Sequence, residues 1–412
     1  MVKTQLLSLA RKYPVFGFAK HVFQSTRDAY YRSLPVDDRL IVFEAFRSTK
    51  YADSPRAIYE YIVSHEEYKD YKFIWVFEHP EKYVFLNSDR TTVVKHESNA
   101  YYAAFARAKY WVVNGWIPLR IQKKSGQVAL QCWHGTPLKR LRYDIVTSSP
   151  TNHHENALRE NDADMVRYDY LISPSKFATK AFISAFNLKA LGKEGIIIET
   201  GYPRNDVLAT ATDQDKETYR KKYGVPSDKK AILYAPTWRD DQHVPEKGYE
   251  YKMPVDFELL REKLSDEYFI LFRAHNLVAN QLDFSRYEGF IKDVSSADDI
   301  KELYIASDIL ITDYSSVFFD YANLGRPIVF YMYDRAHYEK NLRGFYLNAD
   351  DLPGSIVETE QELAQAIQDV DHQKAGAGKM YKKFSDTYNY LDDGGATKRV
   401  VAELLGSKDR HK

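Results

Sequence analysis

The sequence predicts an α/β protein made of two doubly wound domains that face a central cleft. Short apolar runs alternate with segments of helical pattern, which is typical of parallel sheets with helical crossovers. The alternation stops at a polar stretch, residues 211–230, and then starts again. The chain has 412 residues, enough for two or three domains, and its 15% aromatic content excludes a disordered chain.

The apolar runs predict the strands in order. Before the polar stretch they lie at 40–46, 73–77, 93–94, 110–113, 128–133, 170–172 and 196–198, and after it at 231–234, 269–272, 309–312 and 328–331. Ser54 and Pro55 open the first predicted helix. We place the domain boundary near residue 215, which gives domains at 34–215 and 216–395 and a polar tail at 396–412 that we expect to fray from Ala402 onward. Ligands of such sheets bind at the carboxyl ends of the strands, here in the cleft.

Charge is balanced over the chain but not at its start. The 58 basic and 58 acidic side chains argue against nucleic-acid binding by bulk charge. Residues 1–33 carry six basic residues and one acid, a net charge of +5, interleaved with apolar residues, and Pro14 predicts two short helices there. Such a basic amphipathic segment can lie on an anionic membrane surface. The alternative is an ordinary helix packed on the protein body with solvated cations.

Cysteine content and hydropathy restrict the compartment. The single cysteine, Cys132, excludes an internal disulfide framework and fits a reducing compartment. We expect no transmembrane helix, because no run of about 18 apolar residues occurs, and no secretory signal.

Two serines form the strongest candidate anion site. Ser315 and Ser316 follow the strand ILIT and the loop residues Asp313 and Tyr314, and the helix VFFDYANLG follows them. Backbone N–H groups, the helix dipole and both hydroxyls can face a phosphate there. The alternative is helix capping, for which serine is a preferred residue. Asp313 can cap the helix or shape the loop.

Three further strand ends carry polar residues. His134 follows the strand VALQCW and is placed for general base catalysis, Gly135 permits close approach of a ligand, and Thr136 and Lys139 can contact phosphate. Arg273 and His275 point to one side of an extended chain after FILF and suit a dianion. Thr237 and Arg239 follow AILY and can contact phosphate. The alternative for His134 is a buried histidine that binds backbone groups. The alternative for Arg273 and His275 is a structural ion-pair cluster, and for Arg239 it is a surface ion pair with the neighbouring acids.

Several other patterns are excluded as sites. The acidic pairs Asp162/Asp164 and Asp213/Asp215 match a loose D-x-D metal pattern but lie away from strand ends, and no metal site is predicted. The sequence contains no Walker A motif, no G-x-G-x-x-G and no G-x-S-x-G, which disfavours P-loop, dinucleotide-binding and α/β-hydrolase functions.

Together these segments resemble the CDP-glycerol glycerophosphotransferase family, the teichoic acid primases and polymerases of Gram-positive cell walls. The matching strings are WHGTPLKRL (133–141), GYPRNDVL (201–208), ILYAPTWRDD (232–241), FRAH (272–275), ITDYSSVFFDYANLGRPIVFY (311–331) and LRGFY (342–346). The resemblance implies a GT-B-like fold of two Rossmann-like domains, with the acceptor at 34–215 and the CDP-polyol donor at 216–395. It also implies a peripheral position on the cytoplasmic face of the membrane and no cofactor.

The implied reaction moves glycerol phosphate or ribitol phosphate from CDP-glycerol or CDP-ribitol to a hydroxyl of an undecaprenyl-diphosphate-linked acceptor, with release of CMP. By resemblance, His134 is the base and His275 contacts the donor diphosphate, although the two assignments can be exchanged. The remaining implied donor contacts are Arg273, Asp313, Thr237, Arg239, Ser315 and Ser316, and the acceptor or phosphate contacts are Gly135, Thr136 and Lys139.

Two other functions fit the same observations. A GT-B glycosyltransferase that uses a nucleotide sugar shares the two-domain cleft and the helix-start diphosphate site. A non-enzymatic, membrane-associated binding protein can retain the fold. The motifs do not separate glycerol from ribitol donors, or a primase from a polymerase.

Overall fold

The structure is a computed structural model that describes residues 26–145, 152–237, 243–244, 248–249, 255–274, 283–335, 344–348 and 351–406. Of the predicted basic segment 1–33, residues 1–25 lie outside the described part of the chain, and residues 26–33 are helical. No helix among the described residues is long and apolar enough to cross a bilayer.

A seven-stranded parallel sheet forms the first domain, in the order β3-β2-β1-β4-β5-β6-β7. Its strands are β1 Asp37–Glu44, β2 Lys72–Phe77, β3 Thr91–Lys95, β4 Ala108–Val113, β5 Val128–Gln131, β6 Tyr170–Ser173 and β7 Ile197–Glu199. Ile41 pairs with Phe73 on one side and with Tyr110 on the other, so β1 is an interior strand. The strand order reverses direction at β1 and β4, which is the arrangement of a doubly wound sheet.

A six-stranded parallel sheet forms the second domain, in the order β12-β11-β8-β13-β14-β15. Its strands are β8 Lys230–Ala235, β11 Tyr268–Phe272, β12 Ile291–Asp293, β13 Ile309–Thr312, β14 Ile328–Tyr331 and β15 Ser355–Val357. A short antiparallel pair, β9 His243–Val244 and β10 Gly248–Tyr249, follows β8.

The helices connect these strands and cover both faces of the sheets. Their bounds are α1 Asp53–Ser64, α2 Asn99–Arg107, α3 Asn152–Met165, α4 Lys176–Ala185, α5 Asp206–Thr210, α6 Asp213–Tyr223, α7 Phe257–Leu264, α8 Ile300–Ala306, α9 Val317–Tyr321, α10 Glu360–Gln368, α11 Val370–Phe384 and α12 Ala396–Gly406.

Each sheet is buried on both faces because neighbouring residues of one strand enter different cores. In β1, Val42 belongs to one hydrophobic cluster, whereas Ile41 and Phe43 belong to the cluster on the opposite face. Aromatic rings fill the second cluster, where Phe43 stacks on Trp75 with ring centroids 5.2 Å apart. This two-sided burial explains why the strands are continuous apolar runs rather than alternating ones.

Helix α12 corrects the predicted polar tail. Residues 396–406 do not fray: they form a helix that packs on α1 of the first domain, and its Val400, Val401 and Leu404 are buried in the first domain's core. The three apolar residues recur at helical spacing, which gives α12 one apolar face. Residues 407–412 lie outside the described part.

The α/β class and the GT-B-like pair of doubly wound sheets facing a cleft are confirmed. The predicted boundary near residue 215 falls inside α6, which packs on α8 of the second domain. The strand predicted at 128–133 is shorter than expected, because Trp133 has a φ of 53° and cannot continue an extended strand.

Candidate active site

Two adjoining cavities lie between the domains, at the carboxyl ends of the strands. The inner cavity, of about 420 Å³, is lined by Lys50, Asp53, His134, Arg204, Arg273, Tyr304, Ser316 and Asp320 among others. The outer cavity, of about 300 Å³, is lined by His134, Gly135, Thr136, Lys139, Thr237, Ser315 and Ser316 among others. His134 of the first domain and Ser316 of the second border both cavities, so each cavity is open to the same pair.

His134 is held by the residue before it. The Trp133 ring stacks on the His134 ring with centroids 4.2 Å apart, and it also packs against Phe186 at 4.8 Å. The Trp133 backbone N–H donates to the Gln131 side chain at 2.9 Å, which fixes the turn after β5. The imidazole is therefore aimed into the cavities by a buried support.

The environment of His134 keeps its imidazole neutral. The ring is accessible within the cavities, but protein surrounds it on its other sides, and this burial lowers its pKa to about 4. The Asp53 carboxylate acts in the opposite direction and raises the pKa, whereas the Arg204 guanidinium lowers it. A neutral imidazole near pH 7 is the form that accepts a proton.

Gly135 brings the two domains into contact. Its φ is 146°, and a Cβ placed on it would lie 3.1 Å from Ser316 Oγ and 3.2 Å from Arg204 Nη2. A side chain at this position would push Ser316 away from the loop that carries His134. The close approach expected at Gly135 is therefore made by protein groups: Ser316 of the second domain and Arg204 of the first.

Ser315 and Ser316 precede a short helix, and the side chain of Ser316 does not cap the N-terminus of that helix. Ser316 is the residue before α9, and its side chain makes no capping hydrogen bond; Ser315 Oγ accepts a long hydrogen bond of 3.4 Å from the Val317 N–H. Helix capping thus does not account for the Ser316 hydroxyl, which faces both cavities.

Asp313 connects two loops of the second domain. Its Oδ1 accepts hydrogen bonds from the Thr237 N–H at 2.9 Å, from Thr237 Oγ1 at 2.8 Å and from the Tyr314 N–H at 2.6 Å. The carboxylate is buried, so its visible role is to position the loops that follow β8 and β13. Thr237 itself lines the outer cavity.

Residues 138–140 join the second domain through backbone hydrogen bonds. Tyr346 N donates to the Leu138 carbonyl at 2.8 Å, and Arg140 N donates to the Gly344 carbonyl at 3.1 Å, with Lys139 bridged to Phe345 between them. Two of the matched sequence strings, around 133–141 and 342–346, therefore meet in space. Thr136 is buried between His134 and this junction.

Arg273 lines the inner cavity together with His134 and Ser316. The Arg273 guanidinium donates to the Ala297 carbonyl at 3.0 Å. His275 and Arg239 lie outside the described residues, so their predicted roles stay predictions.

The acidic pairs excluded on sequence grounds have structural roles. Asp164 is buried in an ion pair with Arg167, and Asp215 closes a capping box with Thr212 at the start of α6. Among the described residues, no group of three metal-ligating side chains occurs.

Sequence reasoning missed a buried ion-pair cluster centred on Arg204. Its Nη1 contacts Asp53 at 2.8 Å in the first domain, and its Nη2 contacts Asp320 at 2.7 Å in the second. Although burial opposes its charge, Asp320 and Asp53 raise the pKa of Arg204 well above its usual value. The matched string GYPRNDVL contains Arg204 and was the available signal.

The chain is similar in sequence to known proteins of one family. The family profile described as CDP-Glycerol:Poly(glycerophosphate) glycerophosphotransferase matches residues 28–406. A teichoic acid poly(glycerol phosphate) polymerase of Staphylococcus epidermidis is 43% identical over 374 residues, 90% of this chain and 51% of that protein. A protein of the same description from Bacillus spizizenii is 39% identical, covering 90% of this chain and 93% of that protein.

This chain thus spans about half the length of the first relative and nearly all of the second. Among solved structures, the wall teichoic acid polymerase TagF, as a histidine-to-asparagine variant soaked with CDPG, superposes with a TM-score of 0.84 and 38% identity, covering 96% of this chain and 98% of that one.

Proposed function

The chain belongs to the CDP-glycerol:poly(glycerophosphate) glycerophosphotransferase family, and from that membership we propose that it transfers glycerol phosphate from CDP-glycerol to a hydroxyl of a lipid-linked acceptor in teichoic acid synthesis. The observation that carries the proposal is the meeting of His134 and Ser316, from different domains, at the boundary of two connected cavities. One cavity can hold the donor and the other the acceptor, with the base between them.

Glycerol is the favoured polyol because both relatives described above are named for poly(glycerol phosphate). CDP-ribitol remains the competing donor, and the test below includes it.

In the proposed step, the acceptor hydroxyl oxygen attacks the phosphorus that carries the glycerol and gives its proton to the neutral imidazole of His134. The P–O bond to the cytidine monophosphate breaks, and CMP leaves with that bonding pair. Phosphoryl transfer of this kind depends mainly on positioning and on stabilising the charge of the equatorial oxygens.

The donor diphosphate is assigned to Ser315, Ser316 and Arg273, with His275 and Arg239 as further contacts from the loops after β11 and β8. Ser316 supports this assignment because its hydroxyl faces the cavities instead of capping α9. Asp313 and Thr237 hold the loop on which the serines lie. Gly135, Thr136 and Lys139 are assigned to the acceptor side.

The acceptor is proposed to be an undecaprenyl-diphosphate-linked chain at the cytoplasmic face of the membrane. The basic amphipathic segment 1–33 supports this, since cations near an anionic surface and buried apolar side chains both favour interfacial binding.

Product analysis tests the proposed reaction. The protein is incubated with a synthetic undecaprenyl-type acceptor and, separately, with CDP-glycerol, CDP-ribitol and UDP-sugars, and the products are identified by mass spectrometry. We expect CMP and an acceptor longer by glycerol phosphate units. Turnover of a UDP-sugar without CMP release from either CDP-polyol would replace the proposal by a glycosyltransferase function.

Deletion of residues 1–33 tests the membrane part separately. The shortened protein should lose binding to anionic liposomes while it still hydrolyses soluble donor. Binding to liposomes that survives the deletion would place the membrane contact elsewhere. Raised salt should weaken the intact protein's binding, since surface charges are screened within about 8 Å at physiological ionic strength.

A further inference from the structure

Two cations from different domains converge on one backbone oxygen in the inner cavity. Lys50 Nζ donates to the Ala297 carbonyl at 3.1 Å, and Arg273 Nη1 donates to the same oxygen at 3.0 Å. Lys50 follows β1 in the first domain, and Arg273 follows β11 in the second. The two nitrogens are thus no farther apart than the sum of these distances, although like charges repel.

Most of the neighbouring carboxylates form ion pairs with other cations. Asp299 contacts Arg56 at 3.6 Å and Lys301 at 3.5 Å. The remaining pair of acids on this wall, Asp53 and Asp320, is bound by Arg204. Of the described acids that line the inner cavity, Asp298 remains to balance the two converging cations, with a further contribution from Asp299 at Lys50.

The backbone that delivers Lys50 is strained. Phe46, Arg47 and Ser48 have φ values of 46°, 54° and 69°, three consecutive residues other than glycine in the left-handed region. Such backbone costs of order 1–3 kcal/mol per residue and is concentrated at ligand-binding sites. Phe46 and Lys50 both line the inner cavity, which is where this turn projects.

From this convergence we propose that Lys50 and Arg273 form a clamp between the domains that binds a phosphate group of the substrate in the inner cavity. The inference rests on the proposed function only for the identity of the substrate. The phosphate is either the donor diphosphate or the phosphodiester next to the acceptor hydroxyl. A bound anion offsets the repulsion of the two cations and draws the domains together around His134.

The electrostatics of the site agree with an anion clamp. Burial, followed by the Arg273 charge, lowers the pKa of Lys50 to about 8, and burial lowers the pKa of Arg273. Lys50 therefore loses its charge as the pH rises through about 8. Among the described residues, the other charged and titratable groups that line this cavity are Arg273, Asp298, Asp299, Asp53, His134, Arg204, Lys301, Tyr304 and Asp320.

Anion binding is tested directly, without turnover. Calorimetry measures the affinity for inorganic pyrophosphate of the wild type and of Lys50→Gln, Lys50→Arg and Lys69→Gln. Lys69 is the matched control, since it is an exposed lysine of the same domain that pairs with Glu66 at 3.0 Å. We expect Lys50→Gln to weaken binding about 10- to 100-fold, whereas Lys50→Arg and Lys69→Gln retain it. Equal affinity in Lys50→Gln, or no binding by the wild type, overturns the proposal.

Steady-state kinetics then identify the source of the phosphate. A rise in KM for CDP-glycerol in Lys50→Gln assigns the donor diphosphate, and a rise in KM for the acceptor assigns the acceptor phosphodiester. In the wild type, kcat/KM for that substrate should fall above about pH 8, and Lys50→Arg should remove this fall because arginine stays charged. Unchanged KM values for both substrates overturn the clamp, whereas absent CMP release by the wild type overturns the proposed function and leaves the calorimetric result standing.

Discussion

Gly135 of the first domain and Ser316 of the second lie so close that a Cβ on Gly135 would stand 3.1 Å from Ser316 Oγ. The loop that carries His134 therefore touches the start of α9 without an intervening side chain. This contact helps to set the spacing of the proposed base and the proposed donor site, together with the backbone hydrogen bonds at Leu138 and Arg140.

Gly135→Ala should lower kcat by about 10-fold, because the added Cβ displaces Ser316 Oγ and Arg204 Nη2 by a few tenths of an ångström and strains a backbone with a φ of 146°. Gly192→Ala is the matched control: Gly192 also has a positive φ, of 63°, but nothing lies within 4 Å of its Cβ position. The control should lose about 1 kcal/mol of stability and keep its activity. Equal kcat in both variants would contradict the steric role of Gly135.

His134→Gln should lower kcat by more than about 100-fold, the usual contribution of a general acid–base group, without weakening the binding of CDP-glycerol. The measurement pairs CMP release with calorimetric donor binding. His79→Gln serves as control, because His79 is an exposed histidine of the same domain. Loss of donor binding in His134→Gln would move His134 from the role of base to that of donor contact.

The acid limb of kcat/KM should lie below pH 6.5. The pKa of His134 is lowered to about 4, so the imidazole stays neutral, and able to accept a proton, until the pH approaches that value. When kcat/KM for the donor is measured at saturating acceptor from about pH 7.5 downwards, its value should stay constant to below pH 6.5. A limb centred at 6.5 or higher indicates that another group, or a hydrated His134, titrates.

Arg204→Met should destabilise the protein by about 3–5 kcal/mol, because it leaves Asp53 and Asp320 buried without their cation. Urea unfolding followed by tryptophan fluorescence measures the change. Arg159→Met is the control, since the Arg159 side chain is 78% exposed and its contact with Glu155 is 3.7 Å long. A midpoint for Arg204→Met equal to that of the control would show that the cluster adds no stability.

Glu44→Gln should raise the free energy of unfolding relative to the wild type, and this gain should be larger at alkaline pH than at acid pH. Burial raises the pKa of Glu44 from 4.5 to about 7 in the folded state, and its Oε2 has no hydrogen-bond partner among the residues that the structure describes. The wild type therefore loses stability as the pH rises from 4.5 through 7, by about 3 kcal/mol.

The difference in free energy of unfolding between Glu44→Gln and the wild type should grow by that amount between pH 4.5 and pH 8. The exposed Glu66 provides the control variant Glu66→Gln. A constant difference across this range would mean that Glu44 is ionised without penalty in the folded protein.

The sequence predicted those parts of the fold that local pattern determines. Apolar runs such as those in β1 and β13 are long enough to be recognised. The strands β12 (IKD) and β15 (SIV) contain one and two apolar residues and depend on pairing with a neighbouring strand. The end of β5 was misplaced because the turn at Trp133 follows from its packing against Phe186, more than fifty residues away.

The candidate site divides in the same way. His134, Gly135, Ser315 and Ser316 follow apolar strands, so their place in the cleft was predictable from the order of elements. Arg204, Asp53 and Lys50 were missed because their partners are distant in sequence: Asp53 is 151 residues from Arg204, and Lys50 is 247 residues from Ala297. Packing within the first domain brings Asp53 to Arg204, whereas the packing of one domain on the other brings Lys50 to Ala297.

Helix α12 follows the second domain in the chain and yet packs in the first. The polypeptide therefore joins the domains at two places, once between β7 and β8 and once between β15 and α12. The second domain is thereby tied to the first at both ends of its chain. Truncation before residue 396 would remove one of these two ties together with three side chains of the first domain's core, Val400, Val401 and Leu404.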